Sequence, residues 1–150
     1  MATGSAAQTI RTGAGKDSIS ATQGGDTIAG GGGGDMIIVN GHGAADAFAY
    51  AAASDSLNTA GGRDTILGFL ASGAVHDLMD FSPLDPNLSL QGALSGNTVD
   101  AGSIGWLYQG GGAMVYVNDT GDALATSSAN LMEITLFGVT SGLSGGNFRV

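Results

Sequence analysis

An apolar residue recurs every nine positions in the first third of the chain, and an acid stands two positions before most of these residues. The apolar series is Ile10, Ile19, Ile28 and Ile37, and the preceding series is Gln8, Asp17, Asp26 and Asp35. Gly-rich hexads end at the three aspartates. A second series follows in a shifted register, with Asp46, Asp55 and Asp64 preceding Phe48, Leu57 and Ile66. A fixed period of this length predicts a repeat architecture in which each unit packs on its neighbours.

Each nine-residue unit can be read as one short strand and one tight turn. The strand buries one apolar side chain because successive side chains point to opposite faces. The hexad then reverses the chain, with glycine supplying positive φ angles. Two units complete a coil of about eighteen residues, so aspartates of alternate units stack at one edge. Stacked carboxylates repel unless a cation lies between them, and Ca²⁺ accepts both carboxylate and carbonyl oxygens.

Composition excludes several classes of protein. Glycine makes up 28 of 150 residues, yet hydrophobic residues reach 43%, so the chain can collapse rather than stay disordered. The net charge of −9 argues against nucleic acid, which needs lysine and arginine. Without cysteine there are no disulfides or thiolate sites. No apolar stretch is long enough for a membrane helix, and no N-terminal secretory signal of the usual kind is recognised.

The repeat resembles the G-G-x-G-x-D-x-U-x unit of the RTX (repeats-in-toxin) calcium-binding proteins. Residues 30–38 match every position, residues 12–20 lack the first glycine, residues 21–29 keep one glycine of three, and residues 3–11 are degenerate. The resemblance implies calcium between alternate turns, held by backbone carbonyls and aspartates. One implied site comprises Gly13, Gly15, Asp17, Gly30, Gly32 and Asp35. A second comprises Thr22, Gly24, Asp26, Gly41, Gly43 and Asp46, although two extra residues separate Asp35 from Asp46.

The resemblance continues beyond the repeats. Residues 41–50 look like a closing repeat, and residues 62–69 with 77–82 look like the C-terminal segment of serralysin-type metalloproteases and other type I-secreted proteins. This implies a further structural calcium near Asp64, Asp77 and Asp80, although Gly68 and Leu78 replace the usual Asp and Lys. The last four residues, 147–150, resemble the apolar tail of type I secretion substrates, with Arg149 atypical.

The expected fold is all-β: a single domain, 1–150, with a parallel β-roll over residues 3–50 and a capping region over 51–150. That second region reads as an antiparallel, β-sandwich-like part similar to the serralysin C-terminus. Residues 104–108 and 114–117 flank a Gly-rich turn and predict a hairpin. Residues 131–139 predict a strand with Met132, Ile134 and Leu136 on one face and Glu133 and Phe137 on the other.

Catalytic constellations are scarce in the sequence, and we expect no enzyme activity. There is no H-E-x-x-H motif, and His42 and His76 read as turn histidines without a spaced partner. Asp77 and Asp80 could form a glycosidase pair, but turn or calcium roles explain them better. Trp106, Tyr108 and Tyr116 could line a sugar-stacking strip, with core packing as the favoured alternative.

The resemblance implies a secreted, extracellular protein, exported unfolded through a type I ABC transporter and folded outside by Ca²⁺. Three roles stay open at this point. The favoured one is a structural protein that assembles into a homo-oligomer or polymer, such as a surface layer, filament or matrix. It rests on open strand edges and on a chain that starts at Met1 with no room for a second functional domain. The second is a secretion and folding module of a larger enzyme, and the third is a module that binds a polysaccharide.

Overall fold

The computed structural model describes residues 6–150, and nearly every regular element in it is a β-strand. Two 3₁₀ turns lie at Ala53–Asp55 and Gly145–Asn147. The strands are β1 Thr9–Arg11, β2 Ser18–Ala21, β3 Thr27–Ala29, β4 Met36–Val39, β5 Ala47–Ala49, β6 Asp64–Leu67, β7 Leu78–Asp80, β8 Ser89–Ala93, β9 Thr98–Val99, β10 Ser103–Gln109, β11 Gly112–Asn118, β12 Leu124–Ala125, β13 Met132–Phe137 and β14 Phe148–Arg149. Among these residues, no helix is long and apolar enough to cross a membrane.

Two sheets carry the fold, and successive strands of the repeats alternate between them. One sheet has the order β1-β3-β5-β7-β14 and is parallel throughout. The other has the order β2-β4-β6-β13-β11-β10-β8 and is parallel from β2 to β13. A coil therefore contributes one strand to each sheet, which is the β-roll that the nine-residue period predicts. The all-β, parallel-roll prediction is confirmed.

The repeated apolar residues form two ladders inside the roll. In one sheet Ile19 pairs with Ile37, and Ile37 pairs with Ile66. In the other, Ile28 pairs with Phe48, which pairs with Met79. All six side chains are at most 3% exposed. Full burial of a side chain of this size stabilises the fold by about 1.5–3 kcal/mol, so the period supplies a continuous core from one residue in nine.

The second half of the chain extends the roll instead of packing beside it. Strands β6 and β7 continue both sheets beyond residue 50. Strand β13 then pairs in parallel with β6, and the chain's last strand, β14, pairs in parallel with β7. The antiparallel strands β13, β11 and β10 share a sheet with the repeats. The predicted hairpin is confirmed, with Gly110 and Gly111 both at positive φ in its two-residue turn.

Of the two alternatives for the aromatic residues, core packing, the favoured one, holds for Trp106, which is 5% exposed and stacks on Phe148 in the core, with 5.1 Å between the ring centroids. Tyr116 is also buried, in a small separate cluster with Val99 and Leu131. Asp55 does not end a roll turn. It lies in a 3₁₀ turn, where its carboxylate accepts the N–H groups of residues 51 and 52, because residues 51–54 contain no glycine to form the tight hexad turn.

The inward and outward faces of β4 give a matched test of the core. Ile37 is 1% exposed and lies in the isoleucine ladder, whereas its neighbour Ile38 is on the opposite face and only half-buried. We expect Ile37→Ala to lower the free energy of unfolding by about 2–5 kcal/mol, and Ile38→Ala to lower it by clearly less. Urea unfolding of both variants in the same calcium-containing buffer measures the difference. Equal losses would contradict the assigned register.

Candidate metal centre

Six of the repeated aspartates form two columns along the edges of the roll, each at the start of a strand. Asp17, Asp35 and Asp64 precede or begin strands of the seven-stranded sheet, and Asp26, Asp46 and Asp77 precede strands of the five-stranded sheet. Within each column the backbone N–H of one aspartate donates to Oδ1 of the aspartate in the next coil. The donor–acceptor distances are 2.9 Å for Asp17 to Asp35, 2.8 Å for Asp35 to Asp64, 2.7 Å for Asp26 to Asp46 and 2.9 Å for Asp46 to Asp77.

The second oxygen of these carboxylates is the feature that indicates a cation. Within residues 6–150, the Oδ2 atoms of Asp26, Asp35, Asp46 and Asp64 are buried and have no hydrogen-bond partner. The four residues are at most 2% exposed. A buried carboxylate oxygen without a partner costs several kcal/mol when ionised, unless a metal or a proton compensates it. The columns therefore fit a hard divalent cation that takes oxygen ligands.

The first implied calcium site is assembled at the turns before Asp17 and Asp35. The Gly15 N–H donates to the carbonyl of Gly32 (2.7 Å), and the Thr12 hydroxyl donates to the carbonyl of Gly30 (2.5 Å). The two turns lie backbone on backbone. A Cβ at Gly31 would overlap the carbonyl oxygen of Gly13, and a Cβ at Gly33 would overlap that of Gly15. Gly31 and Gly33 also have positive φ angles. Glycine is thus required here for the close approach of the two turns.

The second implied site keeps the same stacking despite its two extra residues. Strand β3 pairs with β5 in register, Thr27 to Ala47 and Ile28 to Phe48, so the insertion is accommodated within the turn. A Cβ at Gly41 would lie 3.6 Å from the carbonyl oxygen of Thr22, and a Cβ at Gly43 would lie 4.0 Å from the nitrogen of Gly24. The turns holding Asp26 and Asp46 therefore lie one above the other, as the turns in the first column do.

Asp64, Asp77 and Asp80, which the sequence comparison placed around one ion, are not brought together. Asp64 ends the column of Asp17, and Asp77 ends the column of Asp26, at the opposite edge of the roll. Asp80 belongs to neither column. Its Oδ1 accepts the hydroxyl of Ser82 (2.6 Å), and its Oδ2 accepts from Arg149 (3.1 Å). Arg149, the atypical residue of the C-terminal tail, therefore pairs with a carboxylate of the neighbouring strand.

Uncharged residues close both columns at the C-terminal end of the roll. The N–H of Asp64 donates to the hydroxyl of Ser56 (2.8 Å), which in turn donates to the carbonyl of Glu133 (2.6 Å). The carbonyl of Asp77 accepts from the side-chain amide of Asn147 (3.0 Å). The N–H of Asp77 itself donates to the carbonyl of Leu70 (2.8 Å), so the acceptor beyond the last aspartate is a hydroxyl in one column and a backbone carbonyl in the other, in place of a further carboxylate.

Burial raises the pKa of four column carboxylates, those of Asp35, Asp46, Asp64 and Asp77. Desolvation raises the pKa of Asp64 to about 7 and that of Asp46 to about 6, against an ordinary value of 3.8. The backbone N–H donated to each carboxylate opposes this shift, and the charge of the next aspartate adds to it. Desolvation also raises the pKa of Asp35 and Asp77. Without a cation, these groups therefore bind protons more tightly in the fold than in the unfolded chain.

His42 is the residue that sequence reasoning missed. Its Nδ1 lies 3.9 Å from Oδ2 of Asp77, and His42, Asp46 and Asp77 offer three ligand atoms that all lie within 4.8 Å of one another. The sequence did contain a signal, because His42 occupies the second position of a repeat turn, where the motif has glycine. The sequence separation of 31 between Asp46 and Asp77 gave no sign that their turns stack.

Comparison with known proteins agrees with this geometry. Residues 3–37 match the RTX calcium-binding nonapeptide repeat, in four copies. The fold is similar to that of the AlgE6R3 subunit of the Azotobacter vinelandii mannuronan C5-epimerase, with 24% identity and a TM-score of 0.57 over 97% of this chain and 80% of that one. The AlgE6R2 subunit of the same enzyme gives 22% identity and a TM-score of 0.48, over 93% and 89% of the two chains. None of the curated proteins compared with the chain matches it.

The raised pKa values predict how pH acts on the calcium-free protein. A carboxylate whose pKa is higher in the fold stabilises the fold below its unfolded pKa, and this stabilisation is lost as pH rises through the folded pKa. For Asp46 and Asp64 the loss falls between about pH 4 and pH 7. In a chelator, circular dichroism at pH 5 should therefore show more β structure than at pH 8. Asp64→Asn, which stays neutral, should weaken this dependence, and an unchanged profile would contradict the assigned burial.

Proposed function

Because residues 3–37 are RTX calcium-binding nonapeptide repeats, we propose that this chain is a secreted protein that folds when Ca²⁺ enters its aspartate columns outside the cell. The observation that carries this proposal is the set of four buried Oδ2 atoms without partners. A calcium ion compensates these carboxylates and uses the stacked turn carbonyls as further ligands. The residues that hold it are the ones named above for the two stacked sites, with Asp64 and Asp77 at the ends of the columns.

Folding and calcium binding are one event in this proposal. Without the cation, a net charge of −9 and two lines of carboxylates oppose compaction. When a site exists only in the fold, binding free energy is folding free energy. Extracellular-type sites have dissociation constants of about 10⁻⁴–10⁻³ M, well above cytosolic calcium. The chain therefore stays unfolded before export, as passage through a type I ABC transporter needs, and folds on release.

Removing one column charge tests the calcium proposal. Asp35→Asn keeps an Oδ1 acceptor for the N–H of Asp17 but loses the charge of the buried carboxylate. When folding is followed by circular dichroism in a calcium titration, we expect this variant to need at least tenfold more calcium than the wild type. The reason is that Asp35 lies between two neighbouring turns of its column, and the substitution removes a charged ligand from the spaces on both sides of it. Asp85→Asn is the matched control. It removes the same charge from an exposed turn, and its titration should follow that of the wild type.

We propose a structural role for the folded protein, in which rolls join through their open strand edges into an extracellular layer, filament or matrix. In the described part of the chain, β1 and β2 each have one strand neighbour, so their other edges carry unpaired N–H and C=O groups. These two edges lie at the same end of the roll. At the opposite end β14 is also an edge strand, but Ser56 and Asn147 bond to the last column residues there.

A non-catalytic module of a larger exported enzyme is the second candidate. The likeness in fold to a subunit of a mannuronan epimerase favours it. A polysaccharide ligand would fit the same setting, but the aromatic strip that first suggested one lies largely in the core. The two candidates differ in the oligomeric state of the folded protein. In calcium, a module stays monomeric, whereas a structural protein assembles into larger particles.

An edge substitution separates assembly from folding. The carbonyls of residues 17 and 21 bond to β4, so the N–H of Ser20 faces the open edge. Light scattering of the wild type in calcium should show growth beyond 14.6 kDa. Ser20→Pro should stop this growth by removing an edge donor, while circular dichroism still shows calcium-dependent folding. If the wild type folds in calcium and stays monomeric, the structural role is rejected, and the module of a larger exported enzyme is the candidate that stands.

A further inference from the structure

A histidine joins two carboxylates at the C-terminal end of one aspartate column. His42, Asp46 and Asp77 each offer a ligand atom, and the three atoms lie within 4.8 Å of one another. The shortest measured approach is 3.9 Å, between His42 Nδ1 and Asp77 Oδ2. Both aspartates are fully buried, whereas the histidine side chain is 28% exposed. The cluster is thus anchored inside the roll and open to solvent on one side.

Strand register places these three residues together. Strand β5 pairs with β7, Ala47 with Leu78 and Phe48 with Met79, so the turn before β5 lies over the turn before β7. The Asp46 N–H donates to Asp77 Oδ1 at 2.9 Å and locks the two turns. His42 has the position in its turn that Gly13 and Gly31 have in theirs. A side chain therefore projects here where Gly13 and Gly31 present only backbone, and the turn before β3 has Thr22 at the same position.

The buried carboxylate of Asp46 provides an independent sign of a ligand. Its Oδ1 accepts the N–H of Asp26, while its Oδ2 is fully buried and has no partner among the described residues. Asp77 is better satisfied, because its Oδ2 accepts the N–H of Leu70 at 2.8 Å. The site thus has one unsatisfied carboxylate oxygen, a second carboxylate and an imidazole nitrogen, with solvent access for further ligands.

This ligand set includes a nitrogen, whereas the implied calcium sites elsewhere in the columns offer only carboxylate and carbonyl oxygens. Calcium prefers carboxylates, carbonyls and water, whereas imidazole nitrogen suits zinc and other first-row transition metals. Tetrahedral zinc with bonds of about 2.0–2.1 Å separates neighbouring ligand atoms by about 3.3 Å. The observed 3.9 Å between His42 and Asp77 therefore needs a closure of about 0.6 Å, and a separation at the 4.8 Å limit of the cluster needs about 1.5 Å. Rotation of the partly exposed imidazole contributes to this closure.

We propose that His42, Asp46 and Asp77 bind a divalent transition-metal ion of the zinc class, with water completing its coordination. This site shares Asp46 and Asp77 with the calcium column proposed above, and it goes beyond that proposal because His42 adds a different ligand type that suits a different ion. It lies where the column ends, at the turn that precedes β7. A bound ion there joins coils that are 31 residues apart in sequence, so it would add stability to the end of the roll that the C-terminal strand β14 closes.

The test uses the full chain at the lowest calcium concentration that keeps the wild type folded. Cobalt(II) serves as the probe because its visible absorption reports the ligands, and zinc is then added to displace it. We expect one equivalent of cobalt to give a spectrum, and zinc to abolish it. His42→Ala should weaken both metals at least tenfold, while the calcium midpoint measured by circular dichroism stays within twofold of the wild type.

His76→Ala is the matched control. His76 is the other histidine of the chain, next to Asp77 in sequence, but it lies outside the three-residue cluster, with its Nδ1 3.4 Å from the carbonyl of Gly73. Its replacement should leave cobalt and zinc affinity unchanged. The proposal is overturned if the folded wild type gives no cobalt spectrum, or if His42→Ala and His76→Ala bind both metals equally well.

Failure of this site and failure of the calcium proposal give different results. If the wild type folds in calcium but gives no cobalt spectrum, the transition-metal site alone is rejected. A wild type that is folded in a chelator rejects calcium-dependent folding, and the cobalt titration is then done without calcium and is judged by the same criteria.

Discussion

The rest of the structure depends on one repeated hydrogen bond, from the backbone N–H of an aspartate to the side chain of the aspartate one coil further on. It occurs at distances of 2.7–2.9 Å in both columns. Each bond fixes the register between coils at the point where a turn becomes a strand. Because strand side chains alternate, a slip of one residue would turn every isoleucine of the ladder outward. The bond thus aligns the hydrophobic core as well as the turns.

The same bond makes the fold dependent on a cation. It uses one carboxylate oxygen, and at Asp26, Asp35, Asp46 and Asp64 it leaves the other oxygen buried without a hydrogen-bond partner. A side chain that only capped the turn, such as serine, would do so without charge, and Ser56 takes that role where one column stops. Asp35 and Asp64 instead keep a negative charge in an environment that disfavours it. A metal ion or a proton compensates such a charge, so we expect the stability of the fold to depend on calcium and on pH.

Closure of the roll comes from residues distant in sequence. Strands β13 and β14 each align in parallel with a strand some 70 residues earlier, and the Asn147 amide binds the carbonyl of Asp77. These contacts cover the C-terminal end of both columns. The chain between them contributes the hairpin and the cluster of Val99, Tyr116 and Leu131 on the outer face of the sheet. The strands β14 and β8 are edge strands as β1 and β2 are, and the two ends of the roll differ in the side-chain closure of the columns at the C-terminal end.

The sequence by itself determined the features that arise from local, periodic chemistry. These are the parallel roll, the inward isoleucines, the two stacked sites at Asp17–Asp35 and Asp26–Asp46, and the Gly110–Gly111 hairpin. Each follows from residues within one or two repeats, where alternation and glycine φ angles act. Only the tertiary structure decided the features that require strands far apart in sequence to meet. It placed Trp106 in the core, separated Asp64 from Asp77 and brought His42 to Asp77. Those outcomes depend on which strand the returning chain pairs with, and the free energy of that choice comes from burial over the whole sheet, which no local pattern records.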